Sequence, residues 1–167
     1  MGTCRHVGSG GHGSRTRGSG GRPERGGGVR CVFDVNVYVA ALLSRDGVPA
    51  QLIRRWLDGA FEVVVSPMLL TELWRVLAYP KIRQRVSEDE AAWVLALVRQ
   101  HAAHHEDVIT PVQPVVEDPD DAYLVALARE ARAVLVTGDQ HLLVLADTLP
   151  VQSPATFHAW LVRRGEG

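Results

Sequence analysis

Residues 30–43 read RCVFDVNVYVAALL: a short apolar strand closed by an acid and followed at once by a helix. Cys31, Val32 and Phe33 are apolar without alternation, the pattern of a strand covered on both faces. Asp34 ends the run, and Asn36 to Leu43 reads as a helix closed by the turn-forming Arg45-Asp46-Gly47. Two later runs have the same form. Phe61 to Val65 is a strand leading into Ser66-Pro67, and Ala133 to Thr137 is a strand leading into Gly138-Asp139.

Working outward, Pro49 opens a second helix that Gly59 closes. Ser66 caps a third helix, Met68 to Ala78, and Pro80 begins a short helical piece. Ser87 and Glu90 have the spacing of a capping box before a helix that runs to about Ala103. Asp107-Val108-Ile109 is a brief strand candidate. Asp118-Pro119 starts a helix to about Ala131, a short helix surrounds Leu142-Leu143, and Leu149 to Gln152 is a last strand. Ser153-Pro154 caps the closing helix, Ala155 to Val162. Continuous apolar strands separated by helices predict an α/β protein with a parallel sheet, right-handed crossovers and helices on both faces.

Composition agrees with one domain. The chain has 167 residues, 46% hydrophobic and 22% charged, with a formal net charge of −1. That charge is uneven: residues 1–30 hold six Arg and one Glu, or +5, so the remainder carries −1 − 5 = −6. Eleven of the 16 glycines lie in residues 1–28. Such a stretch has little apolar surface to offset its ordering entropy, so residues 1–28 are expected to be a disordered Gly/Arg-rich tail and 29–164 the folded domain. Arginine among glycine is also compatible with non-specific RNA binding, and Val29 is an alternative true start. Cys4 and Cys31 cannot form a disulfide framework. No apolar run is long enough to span a membrane and the tail has no signal-peptide core, so a cytoplasmic location is expected. There is no internal repeat, GxGxxG or P-loop.

Ligands of an open parallel sheet bind beyond the carboxyl ends of its strands, which directs attention to acids at strand ends. Asp34 terminates the first strand and Asp139 follows the AVLVT strand. Glu72 borders the apolar stripe of its helix, where a carboxylate must be paired or bind a cation. Asp118, Asp120 and Asp121 start another helix near the same edge. Asp118 reads first as an N-cap, and helical phase leaves Asp120 and Asp121 equivalent. Carboxylates with few basic residues between them suit a hard divalent cation such as Mg²⁺.

Four blocks in order resemble PIN-domain nucleases. They are VFDVNVYVAALL (32–43), VSPMLLTELWRVLAYPK (65–81), DPDDAYLVALA (118–128) and LVTGDQHLL (135–143). The likeness is nearest to the toxin components of toxin–antitoxin pairs, of the VapC type. It implies a PIN-like three-layer α/β/α sandwich with a central parallel sheet of four or five strands. It also implies Mg²⁺- or Mn²⁺-dependent hydrolysis of RNA by an acidic quartet, Asp34, Glu72, Asp121 and Asp139. Asp34, Asp121 and Asp139 would hold the metal, and Glu72 would bind it or position the attacking water. Asp121 is preferred because it directly precedes the Ala/Leu helix. Asn36 and Thr137 match positions that orient the acids, and Asp118 and Asp120 stand behind them. Val35 departs from the family's usual Thr or Ser. The implied partners are an RNA substrate, a cognate antitoxin protein and a second copy in a homodimer.

Two rival functions follow from the same residues. FDVNV resembles the start of haloacid-dehalogenase phosphatases, but that chemistry wants an acid where Asn36 stands and a cation near the nucleophile. A non-catalytic PIN scaffold is the other. His101, His104 and His105 have a zinc-compatible spacing if they share a helix end, although histidines there also complement the helix dipole. Trp56, Trp74, Trp93 and Trp160 read as core or dimer contacts. Arg54-Arg55, Arg75 and Lys81-Arg83-Arg85 are available to RNA phosphates.

A tail without a buried anchor contributes nothing to folding. Deleting residues 2–28 should leave the melting temperature unchanged in a thermal scan; a large drop would mean that the tail packs on the domain.

Overall fold

A computed structural model describes residues 28–109, 116 and 118–165. The tail expectation for residues 1–28 lies outside the described residues except at Gly28. The chain order is β1 (Arg30–Phe33), α1 (Val35–Leu43), α2 (Val48–Leu57), β2 (Glu62–Val65), α3 (Pro67–Leu77), α4 (Pro80–Arg83) and α5 (Glu88–His101). It continues with β3 (Ala103–His104), α6 (Pro119–Glu130), β4 (Val134–Val136), α7 (Gln140–Leu143), β5 (Val151–Gln152) and α8 (Pro154–Arg163). All pairings are parallel, and the five strands lie in the order β3-β2-β1-β4-β5.

That order sets the switch point of the sheet. The chain moves one way from β1 to β2 to β3, then jumps back over β1 to β4. Right-handed crossovers put α6, which packs on β1 and β4, on the face opposite α1 and α2. The crevice between the carboxyl ends of β1 and β4 is the topological switch point, where open α/β sheets bind ligands.

The two faces are apolar for separate reasons. Phe33 of β1 meets Phe61 and Tyr38 edge-on, with ring centroids 5.9 and 5.7 Å apart, and Phe61 meets Phe157 of α8 at 5.3 Å. Val32, Leu135 and Val136 are fully buried, as are Leu124 to Ala128 along α6. Local signals set the helix starts: Ser66 Oγ accepts the Leu69 N–H, and Ser87 with Glu90 completes a capping box. Gly59, at φ +85°, closes α2 in a conformation that favours glycine.

Three sequence expectations are corrected. The third strand is Ala103–His104, not Asp107–Ile109. Helix α5 ends at His101, Ala102 is already extended, and Ala103 and His104 pair with Val64 and Val65, the end of β2. No ladder remains for Asp107, whose Oδ1 instead accepts the Met68 N–H at 3.0 Å and ties this loop to the first turn of α3. His104 and His105 therefore lie beyond the helix, which removes the zinc-compatible helical spacing; His104 Nε2 is 2.8 Å from the Arg99 carbonyl. Trp56 is buried and Trp160 stacks on Phe157, but Trp74 and Trp93 are exposed, so the core reading fails for those two. Among the described residues, no helix is long and apolar enough to cross a membrane.

The aromatic chain and the loop tie differ in weight. Phe157→Ala should cost about 3–5 kcal/mol in denaturant unfolding. Asp107→Ala should cost about 1 kcal/mol, as for lost helix caps. Comparable losses would mean that the aromatic chain is not the core's centre.

Candidate active site

Asp34 is the anchor. It is 6% exposed and is the N-cap of α1, where its Oδ1 accepts the Asn36 N–H at 3.1 Å. Its Oδ2 accepts the Thr137 hydroxyl at 2.6 Å, and its own N–H donates to the Val136 carbonyl across the β1–β4 seam. The fully buried Thr137 Oγ1 also accepts the Asp139 N–H at 3.0 Å. One hydroxyl thus links the acid after β1 to the acid after β4. Asp139 is half-buried and caps α7 through the His141 N–H at 2.8 Å.

Asp118 caps α6 as expected, its Oδ1 accepting the Asp120 N–H at 2.9 Å. Asp118 and Asp120 are exposed; Asp121 is half-buried. Burial thus distinguishes the two positions that helical phase left equivalent. Among the described residues, the Asp121 carboxylate accepts no hydrogen bond. Burial and then the charges of Asp34, Asp118, Asp139 and Asp120 push its pKa up to about 6. Asp34 is also raised, first by burial and less by Asp139 and Glu72, while Thr137 and Asn36 pull it down.

Glu72 joins this field from α3. Its Oε2 accepts Arg75 Nη2 at 2.6 Å, which supplies the partner its border position required. Asn36 contributes through its backbone; its side chain is exposed. Val35 is buried at the first turn of α1. Tyr123 is the neighbour that sequence reasoning missed. Its phenol is held protonated by burial and by the charges of Glu72, Asp34 and Asp121. Its one sequence signal was an aromatic two places after Asp121.

These donors are hard oxygens, and the crowded Asp121 carboxylate lacks a partner, so the donor chemistry fits Mg²⁺ or Mn²⁺. As placed, no three Asp, Glu, His or Cys among the described residues are gathered closely enough to hold one ion together.

The family model described as PIN domain matches residues 30–141. The chain belongs to the PIN-domain family, whose members are generally nucleases and generally use divalent metals. It is similar to the uncharacterized protein MJ1680 of Methanocaldococcus jannaschii, 25% identical over 124 residues that cover 71% of this chain and 76% of that protein. Its fold is similar to PAE2754 from Pyrobaculum aerophilum, with a TM-score of 0.58 and 21% identity over 81% of this chain and 90% of that one. It is also similar to VapBC2 from Rickettsia felis, solved bound to a DNA fragment from its promoter. There the TM-score is 0.55 with 12% identity, over 75% of this chain and 98% of that one.

The raised pKa of Asp121 has a definite sign. The folded state binds its proton more tightly than the unfolded chain, so the stabilisation is full below about pH 4 and is lost as pH rises through about 6. Asp121→Asn should melt about 2–4 °C above wild type at pH 7.5, and the gap should shrink toward pH 4.5. A gap independent of pH in parallel thermal scans would show that Asp121 is not crowded.

Proposed function

We propose that this chain is a metal-dependent endoribonuclease and the toxin of a toxin–antitoxin pair, acting in the cytoplasm. The observation that carries the reading is the buried Thr137 hydroxyl, which joins the acid after β1 to the acid after β4 at the switch point, with Asp121 raised first by burial and then by the charges of these neighbours. Folding gathers charges that oppose it, which is expected of groups retained for chemistry.

In this reading Asp34, Asp121 and Asp139 hold Mg²⁺ or Mn²⁺, and Glu72 binds the ion or positions the attacking water. A bound divalent ion stabilises charge on the phosphate and lowers the pKa of water. The protein's own contribution is placement. Thr137 fixes Asp34 Oδ2, and the Asn36 N–H fixes Oδ1. The α7 N-terminus fixes Asp139 Oδ1. Asp118 holds the first turn of α6, which carries Asp121, while Asp120 adds charge at its exposed side. The phosphatase alternative loses its support, because the family match assigns these blocks to a PIN domain and Asn36 supplies no acid.

An antitoxin protein is the proposed partner. An apolar groove of about 500 Å³ between α1, α2 and α5 supports a docked protein segment; Ile53, Leu57, Trp93 and Leu97 line it, with Arg45 and Arg54 also on its wall. Leu57 and Trp93 are exposed there. A homodimer is proposed with it, since Trp74 offers a further exposed aromatic on α3.

Saturating Mn²⁺ should raise the wild-type melting temperature and not that of Asp34→Asn. Asp34→Asn and Asp121→Asn should each lower Mn²⁺-dependent cleavage of a labelled RNA by about a hundredfold or more while remaining folded. Asp118→Asn should lose little, because Asn caps a helix about as well as Asp. Cleavage retained in Asp34→Asn would end the mechanism; equal loss at Asp118 and Asp121 would reassign the third acid.

A further inference from the structure

RNA is an anion, and the cleft that would cut it is lined by carboxylates. A cation of the protein must offset that repulsion where the phosphate seats. Arg75 stands where such a group is needed. It lies on α3 one turn beyond Glu72, with its side chain 56% exposed and that of Glu72 29% exposed. Its charge reaches Tyr123 on α6, and Asp120 of that helix's first turn acts on Arg75 in return. The guanidinium is fixed in space by Glu72, 2.6 Å from its Oε2, and so stands beside the acid that α3 brings to the site.

Three further arginines pair with acids of their own: Arg30 with Glu62, Arg45 with Glu90 and Arg83 with Glu88. None of those acids belongs to the cleft. Among the described residues, Arg75 donates only from Nη2, to Glu72. The rest of its planar fork is left for another anion, and that fork suits phosphate oxygens.

We propose that Arg75 is the substrate-positioning cation of the cleft, receiving a phosphate oxygen of the RNA, with Glu72 holding it in place until substrate arrives. This rests on the ribonuclease reading. The pairing has a second consequence. Glu72 Oε2 cannot serve Arg75 and a divalent cation equally, so Arg75 competes with the cation for Glu72. Removing Arg75 therefore weakens RNA binding and strengthens Mn²⁺ binding. A merely structural residue would weaken both.

The test uses the full chain as wild type, Arg75→Gln and Arg75→Lys. A fluorescein-labelled single-stranded RNA is titrated by anisotropy in EDTA at several salt concentrations, and Mn²⁺ is titrated separately by calorimetry. Arg75→Gln should weaken RNA binding about tenfold and flatten the log–log salt slope by about 0.7, the share of one phosphate contact on a single strand. It should tighten Mn²⁺ binding about threefold, with a melting temperature near wild type. Arg75→Lys should keep the salt slope and recover part of the affinity, since it keeps the charge and loses the fork. Unchanged RNA affinity and slope in Arg75→Gln would overturn the proposal, as would joint loss of RNA and Mn²⁺ binding with a lowered melting temperature. The ribonuclease reading fails separately: a wild type that binds RNA through Arg75 but never cleaves it with Mn²⁺ sinks that reading and leaves the phosphate contact standing.

Discussion

The hydrogen bond from Thr137 to Asp34 is the constraint around which the cleft is arranged. A carboxylate as buried as Asp34 costs several kcal/mol unless its charge is compensated. Here one oxygen is met by a backbone N–H and the other by a hydroxyl from the neighbouring strand. That hydroxyl is itself held by the Asp139 N–H. The bond is possible only because β4 lies directly beside β1, and β4 lies there only because the chain reverses direction after β3. Strand order, a feature of the whole fold, thus decides the environment of one side chain.

Repulsion among the acids is eased by the same local chemistry that starts helices. Asp34, Asp118 and Asp139 are the N-caps of α1, α6 and α7. Each therefore sits against the electropositive end of a helix, worth roughly 0.3–1 kcal/mol apiece. Capping and charge gathering are not rival roles at these positions. The cap fixes where the carboxylate stands, and three such fixed points bring negative charge to one edge of the sheet.

The sequence disclosed the parts whose causes are local. The apolar runs at 31–33, 63–65 and 134–136, inside the strands expected at Arg30–Phe33, Phe61–Val65 and Ala133–Thr137, the Ser66-Pro67 and Ser87-Glu90 starts and the Asp118 cap depend on neighbours a few residues away, and each lies where the pattern predicts. Asp107 and Trp93 do not. Asp107 caps a helix 39 positions earlier in the chain, which no window of sequence contains. Trp93 fits an apolar helical pattern, yet it is exposed on the wall of the groove between α1, α2 and α5, a position set by the packing of three helices and not by its neighbours in the chain. At the site, Asp34 and Asp139 were legible from strand ends. The preference for Asp121 came from the family resemblance alone; the different burial of Asp120 and Asp121 was not legible from helical phase, because both flank the same stripe and only the position of α6 on the sheet separates them. Tyr123 was invisible for the same reason.

The acids also differ in how firmly they are held, and this bears on how the site would be completed. Asp34 is tied through both carboxylate oxygens and its own N–H, and Asp139 through one oxygen and its N–H. Glu72 is held only by an exposed i,i+3 ion pair, an interaction worth about 0.2–0.5 kcal/mol. Asp121 accepts no hydrogen bond among the described residues. The two acids near the β1–β4 seam are thus fixed by the fold, while the two on the flanking helices can turn at little cost. Among the described residues, no three acids lie close enough to hold one ion together. Full convergence without a counter-charge would add repulsion to a carboxylate already raised to about pH 6. The fixed pair marks the β1–β4 seam, and the crowding of Asp121 limits how much uncompensated charge can gather beside it.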